Sequence, residues 1–367
     1  MKLTENKYFR RFDWALFGSV AVILLLGLMN LYSATYQLPI SKYFADQIVW
    51  IGGGVLVMFV VSLINYHFFN RYAYFMYALT LILLILVSVI GKSAGGSQRW
   101  IHLGFFNIQP SEIIKITVVL ALARYFQDHQ EKRTMGIWDL ISPLLIALPP
   151  FILVLKQPDL GTSLIILSGS VLMIWFVGIQ RKILIITMVV CCISVPAIWK
   201  YGLKPYQKDR VVSFLDPEKY ASGKGYQATQ AKIAIGSGRF SGKGYLQGSQ
   251  SKLQFLPKQH TDFVYSTFAE EFGFFGSMVL FFLYSVFFLS CFNIAVTARD
   301  VFGVLVAFGF SATLICQTFI NFGMEMGVLP VVGMTLPFFS YGGTSLIASF
   351  AKLGILLNIS RHKFSST

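Results

Sequence analysis

The sequence predicts an all-α, polytopic integral membrane protein of about ten transmembrane helices, with a large extracytoplasmic loop between the seventh and the eighth. Three observations carry this. Hydrophobic residues make up 55% of the 367 residues and charged residues only 13%, where soluble domains average about 45–50% and about 25%. Apolar segments near the roughly 17–25 residues that a spanning helix needs recur along the whole chain. Basic residues gather in alternate short loops between them. A single membrane domain over 1–367 accommodates all three, and no internal repeat is evident.

The ten segments lie near 13–33, 45–64, 72–91, 110–126, 140–156, 161–178, 183–200, 263–293, 301–322 and 337–359. Lys2, Lys7, Arg10 and Arg11 precede the first without a small-residue cleavage site, so it is expected to stay in the membrane. The fourth opens on Pro110, which suits the first turn of a helix. The fifth carries Pro143, Pro149 and Pro150 and is expected to kink or break, which is tolerated where backbone faces protein or a cavity. With the N-terminus inside, short cytoplasmic segments hold Arg71, Lys132, Arg133, Arg181, Lys182, Arg299, Arg361 and Lys363. The short outside loops hold Lys42, Lys92 and Arg99. That asymmetry places both termini in the cytoplasm and requires an even number of spans. It also accounts for the net charge of +14 through topology and anionic membrane lipids, with no nucleic acid as partner. Cys191, Cys192, Cys291 and Cys316 all fall in apolar runs, which excludes a disulfide framework and offers no metal-ligand spacing.

The long loop, about 201–262, is basic. Residues 201–260 hold ten lysines and arginines against three acids, with glycines at Gly236, Gly238, Gly242, Gly244 and Gly248. Glycine lets backbone N–H groups approach an anion and lysine supplies point charges. Two readings follow: a site for a phosphate or pyrophosphate headgroup, or a solvated loop with turn glycines. Gly242-Lys243 is followed by Gly244 rather than Ser or Thr, so it is no nucleotide-binding loop. Tyr226–Ile235 has helical periodicity and is expected to lie along the membrane surface.

Four polar constellations interrupt the apolar pattern. In Gln109-Pro110-Ser111-Glu112-Ile113-Ile114-Lys115, the acid and the base are three apart and share a helix face. A charged pair inside a span either lines a functional cavity or is an intrahelical ion pair that orients the helix. In Gln157-Pro158-Asp159-Leu160-Gly161-Thr162, Asp159 either caps the next helix or orders a cavity. Arg210 precedes Val211-Val212-Ser213-Phe214-Leu215-Asp216-Pro217, where it can bind phosphate bidentately or pair with Asp216. Finally, Leu256-Pro257-Lys258-Gln259-His260-Thr261-Asp262-Phe263 ends the loop where the eighth span begins. A carboxylate there meets water, headgroup and lipid-embedded substrate together. Thr261 or Asp262 also suits the helix cap, and that role is compatible with catalysis by the second carboxylate oxygen. Of Glu270 and Glu271, two turns further in, one is expected to face the cavity and the other a neighbouring helix.

These motifs, with Ala269-Glu270-Glu271 and Pro337-Phe338-Phe339-Ser340-Tyr341-Gly342-Gly343, occur in an order that resembles the SEDS proteins of shape, elongation, division and sporulation. The resemblance covers nearly the whole chain and is nearest the elongation branch, RodA. Phe214-Leu215-Asp216-Pro217-Glu218 and Val328-Leu329-Pro330-Val331-Val332-Gly333 carry that distinction, the latter without the lysine usual in the division branch, FtsW. In one departure, Lys258 stands where the family commonly has an acid. The resemblance implies a peptidoglycan glycosyltransferase that polymerises lipid II on the outer face of the bacterial cytoplasmic membrane. Its implied partner is a class B penicillin-binding protein within the elongation machinery. Asp262 is then the expected general base. The expected substrate-binding set is Glu112, Lys115, Asp159, Arg210, Lys258, His260 and Ser340, with a divalent cation, Mg or Mn, as a possible cofactor. The rival readings are a lipid II flippase, a division-type paralogue and a scaffold without chemistry.

Overall fold

Each of the ten apolar segments folds as a helix in the computed structural model, which describes residues 13–35, 40–90, 92–94, 97–103, 106–130, 134–202, 205–216, 224–249 and 259–362. The helices in chain order are α1 (Trp14–Thr35), α2 (Ile40–Leu63), α3 (Tyr66–Ile90), α4 (Pro110–Asp128), α5 (Ile141–Lys156), α6 (Leu160–Val177) and α7 (Arg181–Ala197). Two shorter ones, α8 (Pro205–Leu215) and α9 (Lys224–Ser237), occupy the long loop. The bundle closes with α10 (Val264–Thr297), α11 (Val301–Glu325) and α12 (Gly343–His362). Among the described residues, eight helices are long and apolar enough to cross a membrane. The two predicted spans that do not qualify are α4, which carries Glu112, Lys115 and Arg124, and α7, which has 17 residues. The chain is a multi-pass, all-α membrane protein. Lys258, expected in the site, lies outside the described residues, as do Lys2, Lys7, Arg10, Arg11, Lys132, Arg133, Pro217, Glu218 and Lys363.

Three features differ from the sequence expectation. Helix α5 runs without interruption through Pro149 and Pro150 rather than breaking. Pro150 has no N–H for the carbonyl of Ile146, and the Tyr77 hydroxyl of α3 donates to that carbonyl at 2.7 Å instead. The last span starts at Gly343, not at 337, because 331–336 has no regular secondary structure and 337–339 is a turn. The loop between α3 and α4 carries three short antiparallel strands, β1 (Lys92–Ala94), β2 (Ser97–Leu103) and β3 (Phe106–Ile108), in that order across the sheet.

Helix α11 lies at the centre, packed on α4, α6 and α10, while α12 packs on α2 and α1 on α10. Helix α7 packs least, and Ile185, Val190 and Ile193 on it are exposed. Exposed apolar side chains of this kind are the expected surface of helices surrounded by lipid.

Helix α10 bends at Gly273, whose φ of 64° and ψ of −157° leave the helical region. The freed backbone groups are taken by the 238–244 segment. Lys243 N–H donates to the Glu270 carbonyl and Gly244 N–H to that of Glu271, each at 3.0 Å, and Phe274 N–H donates to the Arg239 carbonyl at 2.9 Å. A Cβ on Gly273 would stand 2.3 Å from the Gly242 nitrogen. Gly273→Ala is therefore expected to destabilise the protein by at least the ~1–3 kcal/mol of a strained backbone. The loss is read as a lowered thermal midpoint in detergent, and an unchanged midpoint would show that the bend is dispensable.

Candidate active site

Four helices begin at one cavity. The N-terminal turns of α4, α6 and α12 and the residues leading into α10 line a space of about 680 Å³. This follows from parity, since every even-numbered span enters the bundle from the same end. A helix N-terminus carries partial positive charge that favours an anion, and carboxylates already meet two of the four, Asp159 at α6 and Glu325 at α10. The sheet contributes Arg99, Trp100 and Asn107 to the wall, α2 contributes Trp50, and the irregular 331–336 segment contributes Val332, Gly333, Met334 and Thr335.

Six of the sequence-predicted residues meet here: Glu112, Lys115, Asp159, Arg210, His260 and Asp262. Lys115 Nζ lies 2.8 Å from both Glu112 oxygens, 3% exposed, and donates to Gln317 Oε1 at 3.5 Å. The pair is thus both an intrahelical ion pair and part of the cavity wall. Asp159 also fills both its expected roles. Its Oδ1 accepts from the Thr162 N–H at 3.2 Å as the α6 cap, while Oδ2 accepts from Gln109 at 3.2 Å and faces Arg99 at 3.7 Å. Arg210 reaches in from α8 and its Nη1 donates to the carbonyls of Val331 and Val332 at 3.2 and 2.9 Å. His260 lies in an aromatic cluster with Tyr43 and Tyr341, ring centroids 4.9 and 6.0 Å away, and its carbonyl accepts from the Tyr341 N–H at 3.0 Å. Burial, with Asp46 and Tyr43 nearby, pushes the Tyr341 phenol above its ordinary range, so it stays a neutral hydroxyl.

Asp262 stands just before α10. Its backbone carbonyl accepts from Asn321 at 3.2 Å. Gly333 faces its side chain across a narrow gap, and a Cβ there would lie 3.3 Å from Asp262 Oδ2. With φ at +75°, Gly333 also holds a conformation that side chains rarely adopt. The N–H groups of Tyr265 and Ser266, which a capping side chain would take, donate to Glu325 of α11.

Three expectations need correction. Ser340 is not part of the cavity wall. It is 3% exposed, its hydroxyl accepts from the Leu336 N–H at 2.8 Å, and its carbonyl accepts from Gln47. Its role is to close the turn that places Tyr341–Ser345 in the wall. The glycines of the long loop do not line the cavity either. Gly238, Gly242 and Gly248 are pressed against Glu270 and Glu271, where a Cβ would clash or crowd. Neither of those glutamates faces the cavity. Glu270 accepts from Lys243 at 2.6 Å and Ser249 N–H at 2.9 Å, and Glu271 accepts from the Ser33 hydroxyl of α1. One side of helix α9 packs on α10 and α11, with Ala231 and Ala234 fully buried, which is compatible with a position along the membrane surface.

The sequence reading missed Gln317, Thr162, Thr335, Ser345, Trp50 and the sheet residues of the wall. Gln317 carried a usable signal, a polar residue inside a span. The others come from three helices, the 331–336 segment and short strands, which only the fold brings together. For a divalent cation the donor set is poor. Glu112 and Asp159 are both engaged by basic groups or amides, and no group of three or more His, Cys, Asp or Glu among the described residues is placed to hold a metal. The residues present do not build a metal cage.

Two outcomes follow. Lys115→Met leaves Glu112 buried without its cation and is expected to destabilise by about 3–5 kcal/mol, with Glu112→Gln/Lys115→Met recovering most of the loss. Thermal denaturation of these two variants and of Glu112→Gln alone checks this, and additive losses would exclude the coupling. Gly333→Ala is expected to lower activity by on the order of tenfold or more, because it displaces the Asp262 carboxylate. Turnover of the purified variant reads that effect.

The fold and motifs can now be set beside known proteins. The family model FTSW_RODA_SPOVE, described as cell cycle protein, matches residues 13–365. Peptidoglycan glycosyltransferase MrdB of Escherichia coli (strain K12) is 38% identical over 313 residues, covering 84% of this chain and 83% of that protein. A chain solved for the structural coordination of polymerization and crosslinking by a peptidoglycan synthase complex superposes with a TM-score of 0.84. It is 34% identical, with 97% of this chain and 99% of that one covered. The crystal structure of rod shape determining protein RodA of Thermus thermophilus superposes with a TM-score of 0.71 at 30% identity, covering 97% of this chain and 98% of that one. The chain belongs to the FtsW/RodA/SpoVE family of cell cycle proteins, the SEDS family that its motifs resemble.

Proposed function

We propose that this chain is a peptidoglycan glycosyltransferase of the elongation branch that polymerises lipid II at the extracytoplasmic face of the bacterial cytoplasmic membrane. The observation that carries this reading is one cavity holding Asp262, Arg210 and the Glu112–Lys115 pair at the meeting point of four helix N-termini. The likeness to MrdB and to a chain of a peptidoglycan synthase complex supports it. The likeness to a rod shape determining protein favours elongation over division. The same kinship favours a class B penicillin-binding protein as partner. The charge pattern of the short loops supports termini in the cytoplasm and, with them, an outside position for the cavity end of the bundle.

The reaction joins a sugar 4-hydroxyl to the anomeric carbon of a sugar carried on undecaprenyl pyrophosphate. Asp262 removes the hydroxyl proton as the new C–O bond forms. The bond to the pyrophosphate breaks with its electron pair, and the leaving group departs as undecaprenyl pyrophosphate. Arg210 and Lys115 hold the developing negative charge, helped by the helix N-termini. Glu112 orients Lys115, Asp159 orders the wall between α4, α6 and the sheet, and His260 with Tyr341 shapes the approach to Asp262. An α-linked donor giving a β-linked product fits one direct, inverting displacement. No step uses a metal of the protein, and any magnesium or manganese would act from the substrate's own pyrophosphate.

Polymerisation of purified lipid II by the chain with its transpeptidase partner tests the reading. Asp262→Ala is expected to keep fold and partner binding while losing about 10²–10⁴-fold in rate. Full activity in that variant sinks the base assignment. Arg210→Ala is expected to weaken donor binding by about tenfold, in line with a lost charge-assisted contact. Unchanged affinity removes it from the pyrophosphate site. Scrambling of labelled lipid II across vesicles, with no polymer formed, would replace the enzyme reading with the flippase.

A further inference from the structure

Helix α11 carries Gln317, Asn321 and Glu325 at spacing four on one face, beside the smaller hydroxyls of Ser311, Thr313 and Thr318. Gln317, Asn321 and Glu325 are buried, at 2%, 0% and 0% exposure. Buried polar groups in such a helix are costly and mark a use. Gln317 and Asn321 hold the 331–336 segment that lines the cavity, and Glu325 holds the first turn of α10. Gln317 donates to the Thr335 carbonyl at 2.9 Å and accepts from Lys115 at 3.5 Å. Asn321 donates to the Met334 carbonyl at 2.6 Å and to the Asp262 carbonyl at 3.2 Å. Glu325 accepts from the Tyr265 N–H at 3.3 Å, and from the Ser266 N–H and hydroxyl at 2.6 and 2.7 Å.

We infer that Glu325 is a positioning residue for Asp262, the end of a brace along α11 that holds Asp262 in register with Lys115. This rests on the polymerase reading above. Tyr265 and Ser266 are the second and third residues of α10, whose N–H groups a capping oxygen normally takes from within the same chain segment. Here that oxygen comes from another helix. Asp262 is therefore pinned through its own carbonyl by Asn321 and through the following turn by Glu325. Lys115 is tied to the same helix one turn further on, by Gln317. Residues four apart on a helix rise by about 6 Å, so α11 acts as a ruler between the proposed base and the proposed leaving-group cation. Neither Asn321 nor Glu325 lines the cavity, so their effect on the reaction passes through Asp262.

The test compares Glu325→Ala and Glu325→Gln with the unaltered chain, each assembled with the transpeptidase used in the polymerisation assay. A lipid II binding titration counts the sites per chain, and turnover is expressed per binding site so that misfolded protein is removed from the comparison. Glu325→Ala is expected to lower turnover per site by on the order of tenfold or more while lipid II affinity stays within about twofold. Glu325→Gln keeps one accepting oxygen for the α10 amides and is expected to recover all but about threefold. Turnover per site equal to that of the unaltered chain in Glu325→Ala overturns the inference, as does a fall in affinity that matches the fall in turnover. Where Glu325→Ala binds no lipid II, Glu325→Gln decides, and wild-type turnover in it overturns the inference. An unaltered chain that binds lipid II and forms no polymer refutes the polymerase reading instead.

Discussion

Backbone that leaves helical geometry inside a lipid-surrounded bundle must find its hydrogen bonds within the protein, and the site depends on how that requirement is met. The irregular segment 331–336 and the first turn of α10 are two places where it is acute. Arg210 takes the carbonyls of Val331 and Val332, Asn321 that of Met334 and Gln317 that of Thr335, while Ser340 receives the Leu336 N–H. Glu325 takes two amides of α10. The groups that satisfy the backbone are thus the same groups that surround Asp262. Stability and site geometry are set by one network.

The electrostatics follow the same economy. Glu112 with Lys115 and Asp159 with Arg99 are near-neutral pairs in the wall, and Arg210 is held by carbonyl dipoles. Pairs of this kind add little net stability, since desolvation offsets much of their attraction. What they supply is fixed charge at fixed positions. The N-termini of α4 and α12 add partial positive charge around them, which suits a diphosphate leaving group, while those of α6 and α10 are met by Asp159 and Glu325. The Gly273 bend serves a separate purpose. It lets the 238–249 segment dock on Glu270 and Glu271, which ties the long loop to α10 beside the site rather than in it.

Much of the candidate site was legible because charge inside an apolar segment is expensive and therefore conspicuous. Glu112 and Lys115 stood out on that ground, and Asp159, Arg210 and Asp262 as charges beside the ends of spans; all five reach the cavity. The same signal misled at Glu270 and Glu271, because a buried carboxylate that ties down a loop looks the same in sequence as one that meets substrate. The loop glycines misled for a related reason. Close approach of backbone to an anion and close approach to a helix bend require the same missing Cβ. Ser340 sits inside a motif whose neighbours line the wall, and only its hydroxyl direction separates it from them. The β1–β3 sheet went unread because its strands are three, seven and three residues long, too short for alternation to register.

Hydrophobic segment length and charge placement alone determined the ten helices, the long loop and the motifs of a family member, because those properties depend on residues near one another in the chain. Tertiary structure decided which polar residues face the same space. Gln317, Asn321 and Glu325 are unremarked polar residues of a span until α11 is placed at the centre of the bundle. Asp262 gains its setting from Gly333, Asn321 and the turn held by Glu325, all distant from it in sequence. Orientation of a side chain on a buried helix is set by the helices packed around it, and that information is spread over the whole chain.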